Sequence, residues 1–168
     1  TVTDSLVSIK YNVFDNKHIK MQQLLETLQT NYERDGTLRK RFLNETPKYG
    51  NDDNYADEIL TRVFEAYYRA VDGRPNTRNG CHRINLLPTT VHVYFGSVTG
   101  ALPDGRKAGE PLSEGISPVQ GADRHGPTAA LLSAAKLDHL RTGGTLLNQK
   151  LTPRLLADTD GLKKFVQL

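Results

Sequence analysis

A long run of turn-forming residues lies in the second part of the chain, between segments that are plainly structured. The run reads Gly-Ala-Leu-Pro-Asp-Gly-Arg-Lys-Ala-Gly over residues 100–109 and continues to Ser-Glu-Gly-Ile-Ser-Pro over residues 113–118. A loop of this length without helices or strands of its own is either functional or disordered. Apolar residues recur within the run at intervals that can anchor it, at Ala101, Leu102, Leu112, Ile116 and Val119. The sequence therefore predicts an ordered loop whose sharply turned backbone shapes a surface.

The Pro103-Asp104-Gly105 triplet predicts a tight turn inside this loop. Proline presets φ, the aspartate side chain can bond the backbone that follows it, and glycine tolerates a positive φ. We expect Asp104 and Arg106 to pair with each other or to clamp a neighbouring loop, and direct contact with a substrate is the alternative. The segment is only superficially similar to a phosphate-binding P-loop, because Arg106 and Lys107 stand where that motif requires Lys followed by Ser or Thr.

The chain up to Asp72 predicts a helical part of the fold, residues 1–72. Apolar residues recur at helical spacing over about 19–32 and about 55–71, and Thr37 is expected to cap a short helix between them. The helix over about 55–71 is the clearest. Its expected N-cap is one of the two aspartates that precede it, Asp52 or Asp53.

The second part of the chain, residues 73–168, predicts short strands between shaped loops. The β-branched and aromatic run at 91–95 is typical of a strand, and so is the run at 145–151. Helices are expected to open at three further positions, Pro127, Pro153 and Asp160. Helices in the first part and strands in the second predict an α/β fold.

One face of the predicted strand at 91–95 carries the candidate residues for a substrate cavity. Side chains alternate along a strand, so Thr90, His92 and Tyr94 would share one face and apolar residues would occupy the other. A polar face opposite an apolar one suits a strand at the lip of a cavity. Simple exposure to solvent is an equally good interpretation of the same pattern.

Other catalytic and binding classes find little support in the sequence. The histidines and the one cysteine, Cys81, lack the spacing of metal ligands, and Cys81 has no evident base partner. Ser113 and Ser117 lack the G-x-S-x-G pattern of a hydrolase nucleophile. A net charge of only +3, with mixed signs along the chain, argues against nucleic-acid binding. No apolar run is long enough to cross a membrane, and a single cysteine suits a reducing cytoplasm.

Six short motifs follow one another along the chain. They are Tyr-Gly-Asn-Asp-Asp at 49–53, Pro-Asp-Gly-Arg at 103–106, Gly-Ile-Ser-Pro at 115–118, Gly-Pro-Thr at 126–128, Ser-Ala-Ala-Lys-Leu-Asp at 133–138 and Gly-Gly-Thr-Leu-Leu-Asn-Gln-Lys at 143–150. Together they resemble the glycyl radical enzymes, the superfamily of pyruvate formate-lyase. The motif sequences are most similar to those of the dehydratase and lyase branch. This branch includes glycerol or diol dehydratases, choline trimethylamine-lyase, isethionate sulfite-lyase and hydroxyproline dehydratase.

The resemblance implies a fold and a radical mechanism. The family fold is a ten-stranded α/β barrel surrounded by helices, and this chain would be part of it. A glycine in an R-V-x-G-Y-type motif stores the radical, and a cysteine, within G-C-x-E in the dehydratase-like branch, carries it to the substrate. A separate activating enzyme, which uses S-adenosylmethionine and an iron–sulfur cluster, makes the glycyl radical, and no other cofactor is implied.

Neither radical-carrying loop is recognised in this sequence. Cys81 follows Gly80, but Arg83 stands where the G-C-x-E pattern has glutamate, and no R-V-x-G-Y motif precedes Leu168. We therefore expect an internal segment of a longer, anaerobic and cytoplasmic enzyme, lying between the two loops. By itself the segment is expected to be inactive and poorly stable, because burying both faces of a barrel needs the rest of the chain.

The resemblance implies that the parent cleaves a C–O, C–N or C–S bond of a small polar substrate. The alternatives are a parent of the formate C-acetyltransferase type, which cleaves a C–C bond, and a stand-alone, non-catalytic binding module. Family members are commonly homodimers. No catalytic residue is assigned here, and Thr90, His92 and Tyr94 remain the candidates for a cavity wall. A structural role is expected for the motif residues Pro103, Asp104, Gly105, Arg106, Ser117 and Pro118.

Overall fold

The first part of the chain is helical, as the apolar spacing predicts. The computed structural model describes residues 1–87 and 90–168. The helices of the first part are α1 (Val2–Ile9), which continues as a π-helix over Lys10–Asp15, α2 (Met21–Gln29), α3 (Gly36–Asn44) and α4 (Asn54–Val71).

Two of these helices begin at aspartate N-caps. The Asp53 side chain accepts a hydrogen bond from the Tyr55 N–H, so Asp53 caps α4 and Asp52 does not. The prediction that Thr37 caps the short helix was wrong, because the Asp35 carboxylate accepts from the Leu38 N–H and α3 begins earlier. A capping carboxylate satisfies an otherwise unpaired N–H and places negative charge at the positive end of the helix dipole.

Both strand predictions for the second part were wrong for the described residues. Residues 91–95 lie in α5 (Val91–Val98), and residues 145–151 are irregular. The helix predicted to open at Pro127 is α6. The remaining elements are α6 (Pro127–Ala135), 3-10 helices at His139–Arg141 and Pro153–Leu156, and α7 (Thr159–Val166), which Asp158 caps in place of Asp160.

Tertiary contacts make α5 a helix although its composition is typical of a strand. Intrinsic preferences differ by only about 1 kcal/mol or less per residue, so packing overrides them. The Leu112 N–H donates to the His92 carbonyl at 3.1 Å. A Cβ on Gly96 would lie only 2.5 Å from the Glu110 carbonyl oxygen, so the helix backbone packs directly against the loop. Residues two apart lie on opposite sides of a helix, so Thr90, His92 and Tyr94 do not form the predicted common face.

A short parallel pairing connects the segment after α4 with the segment after α6. The Leu86 N–H donates to the Gly144 carbonyl at 2.9 Å, and the Leu86 carbonyl accepts from the Leu146 N–H at 3.2 Å. Leu86 and Thr145 form an isolated parallel bridge. The Leu146 carbonyl accepts in turn from the Ile116 N–H at 2.9 Å, which attaches the end of the long loop to the same pair.

Helix α4 carries the apolar core that joins the two parts of the chain. Its Leu60 and Phe64 pack with Ile84 and with Ile116, the predicted anchor of the long loop. A second cluster lies among α2, α3 and the segments beside them and contains Ile19, Leu24, Tyr32, Leu38 and Phe42. The loop is therefore held between two buried clusters, because Ala101 packs against the second one.

A partly buried polar network attaches α6 to the start of α4. The Ser133 hydroxyl donates to Asp57 Oδ2 at 3.0 Å and accepts from the Asp52 N–H at 2.9 Å. Lys136 Nζ lies 2.7 Å from Asp57 Oδ2 and 2.8 Å from Asp52 Oδ1. Burial lowers the pKa of Lys136, but its hydrogen bonds to Asp52 and Asp57 outweigh burial and raise the pKa overall.

We predict that Lys136→Met destabilises the fold and weakens its pH dependence on the alkaline side. The folded state holds the Lys136 proton more tightly than the unfolded state. This stabilisation is therefore fully present below the ordinary lysine pKa of 10.5 and is lost as pH rises through the higher folded pKa. Removing the ammonium leaves the buried Asp57 charge short of a partner, a loss on the order of 1–3 kcal/mol. Urea unfolding followed by circular dichroism between neutral and strongly alkaline pH measures both effects.

Lys164→Met is the matched control, because Lys164 pairs with Asp160 at the surface of α7. We expect it to leave the free energy of unfolding nearly unchanged, as surface pairs contribute little. An alkaline loss of stability that is as steep in Lys136→Met as in the unsubstituted chain would contradict the prediction.

Candidate functional site

The long loop is ordered and forms one side of a cavity of about 880 Å³. Residues at the start of α5 and at the end of α3 form other parts of the wall. Among the described lining residues, acidic and basic side chains occur in equal numbers, Asp4, Asp104, Glu110, Glu114 and Asp123 against Arg39, Lys48, Arg106, Arg124 and Lys150. The cavity wall is therefore rich in charged side chains, without a large excess of either sign, and we call it the polar cavity.

The Arg106 side chain organises the loop. It is only 5% exposed, and its guanidinium donates to backbone carbonyls from both sides of the loop. Nη1 donates to Gly100 at 2.7 Å, Nη2 donates to Gly96 at 2.5 Å, and Nε donates to Glu110 at 2.8 Å. Of the two structural interpretations of Asp104 and Arg106, the ion pair is wrong, because no bond joins their side chains in the described chain. The clamp on neighbouring backbone is what Arg106 forms.

Asp104 and Gly105 make the turn that places Arg106. Asp104 Oδ1 accepts from the Arg106 backbone N–H at 3.0 Å, and the Gly105 N–H donates to the Leu102 carbonyl at 3.2 Å. Gly105 has a φ of +96°, and a Cβ there would lie 2.8 Å from Leu43 Cδ2. The predicted tight turn is confirmed, and it needs glycine both for its backbone angle and for its approach to α3.

Ser117 and Pro118 connect the loop to two other motifs. Ser117 Oγ accepts from the Asn148 N–H at 2.9 Å. Pro118 packs against Gly50, where a Cβ would lie only 2.3 Å from Pro118 Cγ and where φ is +94°. The Tyr49 hydroxyl also donates to the Ile116 carbonyl at 2.7 Å. Three of the motifs that are far apart in the sequence therefore meet in space.

Three charged side chains are buried beside the turn. Asp4, Lys48 and Asp104 are 1%, 8% and 3% exposed. Lys48 Nζ donates to the Asp104 carbonyl at 2.8 Å, and Asp4 Oδ1 accepts from the Tyr49 N–H at 2.8 Å. Burial raises the pKa of the Asp4 carboxyl and lowers the pKa of Lys48. Sequence reasoning missed Asp4 and Lys48, because a charged residue in a helix or in a polar turn carries no local signal of burial.

The three cavity candidates do not come together. His92 lines the cavity, while Thr90 and Tyr94 are not among its described lining residues, and Tyr94 is 66% exposed. Their role in a substrate cavity stays a prediction. Cys81 is exposed, and the described histidine, cysteine, aspartate and glutamate residues form no group that can hold a metal ion. In the parts of the chain that the structure describes, no helix is long and apolar enough to cross a membrane.

Two apolar surfaces lie outside this polar cavity. A second cavity, of about 670 Å³, lies between α4 and the loop and is lined by side chains such as Leu60, Phe64, Leu102 and Ile116. The large apolar side chains of α5 are largely exposed, at Val91, Val93, Tyr94, Phe95 and Val98. Exposed apolar patches are typical of surfaces that contact further protein, a membrane or a ligand.

Comparison with known proteins identifies the family. The family model described as pyruvate formate lyase-like matches residues 1–96, and the model described as glycine radical matches residues 112–168. The chain therefore belongs to the pyruvate formate lyase-like family. The resemblance to glycyl radical enzymes inferred from the six motifs is confirmed.

Named relatives are dehydratases and lyases. The chain is 51% identical over its full 168 residues to trans-4-hydroxy-L-proline dehydratase of Clostridioides difficile, of which it covers 21%. It is 39% identical to isethionate sulfite-lyase of Bilophila wadsworthia over 99% of this chain and 20% of that one. The chain thus spans about one fifth of the length of these relatives.

Solved structures of relatives match the whole described fold. The crystal structure of hydroxyproline dehydratase from Clostridioides difficile, with trans-4-hydroxy-L-proline bound, matches 99% of this chain and 21% of that one, with a TM-score of 0.94 and 51% identity. The B12-independent glycerol dehydratase from Clostridium butyricum, in its glycerol-bound form, matches 99% and 21% respectively, with a TM-score of 0.90 and 41% identity.

We predict that Gly105→Ala destabilises the loop more than Gly109→Ala. Both glycines have a positive φ, +96° and +81°, so an alanine at either position costs about 1–2 kcal/mol of backbone strain. Only the alanine at Gly105 would also collide with Leu43, whereas the described chain leaves the space beside Gly109 open to 4 Å. Overpacking adds about 1–3 kcal/mol. Urea unfolding of the two variants isolates this packing contribution, and equal losses would contradict it.

Proposed function

We propose that this chain is part of a glycyl radical dehydratase or lyase, in which it builds part of the wall around the radical chemistry. The proposal is carried by the 51% identity to a hydroxyproline dehydratase over all 168 residues. The TM-score of 0.94 to the substrate-bound structure of such an enzyme supports it.

The parent enzyme cleaves a C–O, C–N or C–S bond of a small polar substrate. Its relatives remove water from hydroxyproline or sulfite from isethionate, as their names state. Identity of 51% to the former against 39% to the latter favours trans-4-hydroxy-L-proline as the first substrate to test. These similarities favour dehydration over the C–C cleavage of a formate C-acetyltransferase, and over a stand-alone binding module.

The geometry that radical transfer requires indicates which part of the parent carries the radical and which part forms the cavity wall. Glycine, cysteine and substrate carbon must be in near contact inside a water-free cavity, so that each hydrogen transfer is short. This sequence has neither an R-V-x-G-Y nor a G-C-x-E motif, so it contributes wall and not the radical carriers. The polar cavity beside the loop and His92 of α5 are its candidate contributions to that wall.

The fold, the activation and the oligomeric state of the parent are proposed from its membership of the glycyl radical enzymes. Its fold is a ten-stranded α/β barrel, to which the parallel pairing of Leu86 with Gly144 and Leu146 would contribute. A separate activating enzyme, using S-adenosylmethionine and an iron–sulfur cluster, installs the glycyl radical. The parent acts as a homodimer in an anaerobic cytoplasm.

The test is anaerobic activation of the full-length protein with its activating enzyme, followed by electron paramagnetic resonance and a substrate panel. The panel contains trans-4-hydroxy-L-proline, glycerol, isethionate and pyruvate with coenzyme A. We expect a glycyl radical doublet and the loss of one water from each hydroxyproline consumed, with no turnover of the other compounds.

The matched control is the 168-residue chain alone under the same treatment, which we expect to give no doublet. A full-length protein that acquires no doublet would overturn the proposed class. A doublet with turnover of isethionate alone would keep the class and replace the substrate, and turnover of pyruvate would establish the C–C alternative.

A further inference from the structure

Arg106 connects two walls of the polar cavity. On one side, its guanidinium donates to the Gly96 carbonyl of α5 and to the Gly100 carbonyl just after the helix. On the other side, it donates to the Glu110 carbonyl and approaches the Pro111 carbonyl at 3.4 Å. One side chain therefore joins α5 to the loop segment at 110–111, where the Gly96 backbone also packs directly on the loop.

Helix α5 depends on backbone contacts for its place. Gly96 is its buried residue, and its large apolar side chains are exposed. Besides Arg106, the loop holds it through the Leu112 N–H, which donates to the His92 carbonyl at 3.1 Å, and the Gly109 N–H, which donates to the Thr99 carbonyl at 3.2 Å. All of these contacts come from the loop, and Arg106 supplies several of them from a single side chain, so the loop and α5 are coupled and the clamp is a large part of that coupling.

The chemistry of this clamp requires a guanidinium. Arginine presents five donors in a planar fork and stays charged, whereas the lysine ammonium is a point charge with three donors. Carbonyls at the C-terminal end of a helix carry partial negative charge, which favours a cation there. The nearest carboxylate in sequence, Asp104, accepts a hydrogen bond from the Arg106 backbone N–H and not from the guanidinium. The guanidinium therefore donates its hydrogen bonds to backbone carbonyls.

We propose that Arg106 is a positioning residue for the parent's reaction, because it sets the place of α5 and thereby of His92 in the cavity wall. The proposal rests on the proposed function, since it takes this cavity wall as part of the enzyme's substrate enclosure. The Arg106 guanidinium is taken up by backbone carbonyls, so we expect Arg106 to act through α5 and not on a reacting atom. Its loss therefore changes how the substrate is held and leaves the formation of the radical intact.

The test compares Arg106→Lys with the unsubstituted full-length enzyme after anaerobic activation. We expect the variant to fold, to carry the same number of radical spins per chain, and to show at least a tenfold lower kcat/KM, expressed mainly as a raised KM. Amide hydrogen exchange over residues 91–100 is expected to be faster in the variant, because lysine cannot reach the carbonyls of both walls.

Arg141→Lys is the matched control, since Arg141 is also a multiply bonded arginine but lies away from α5. Its Nη2 donates to Glu65 Oε2 at 3.2 Å, and its guanidinium lies 3.8 Å from the centre of the Tyr68 ring. We expect this variant to lose some stability while its kcat/KM per spin and the exchange of α5 stay within twofold of the unsubstituted enzyme.

Several results would overturn the proposal. They are an Arg106→Lys enzyme within twofold of the unsubstituted kcat/KM per spin, a variant that does not fold or form the radical, and lost activity with unchanged exchange of α5. The second result would make Arg106 a stability residue. An unsubstituted enzyme without radical or turnover would overturn the proposed function as well, so the two failures are distinguishable.

Discussion

The buried guanidinium of Arg106 is the interaction on which the loop depends. A buried charge without hydrogen-bond partners is strongly unfavourable, so its donors must be satisfied. Arg106 satisfies them with carbonyls that come from before and after its own turn, at Gly96, Gly100 and Glu110. Any rearrangement of the loop would leave donors unpaired. A segment rich in glycine and proline is ordered for this reason.

The collinear motifs have a common physical explanation in the contacts that surround this loop. Gly50 admits Pro118 at a distance that no side chain at that position would allow. Ser117 accepts from the Asn148 backbone, and Ser133 joins Asp57 to the N–H of Asp52. These contacts join four of the six motifs, those at 49–53, 115–118, 133–138 and 143–150. Their order in the sequence therefore identified the family although no single motif was specific.

The sequence predicted those features that depend on local chemistry. Apolar spacing located α2 and α4, and the turn residues located the bend at Gly105. The helix at Val91–Val98 was missed because its side chains favour a strand. Its conformation depends instead on contacts of the loop with the backbone at Gly96 and His92. The run at 145–151 reads as a strand, but the described chain offers it only the short pairing around Leu86. Burial of Lys48 likewise depends on residues far along the sequence.

We propose that this chain lies between the two radical-carrying loops of a glycyl radical enzyme. Sequencing the source gene on both sides of the codons for Thr1 and Leu168 tests it most directly. We expect one open reading frame with a G-C-x-E motif upstream and an R-V-x-G-Y motif downstream. A reading frame that ends without the downstream motif, or that begins without the upstream cysteine, would contradict it.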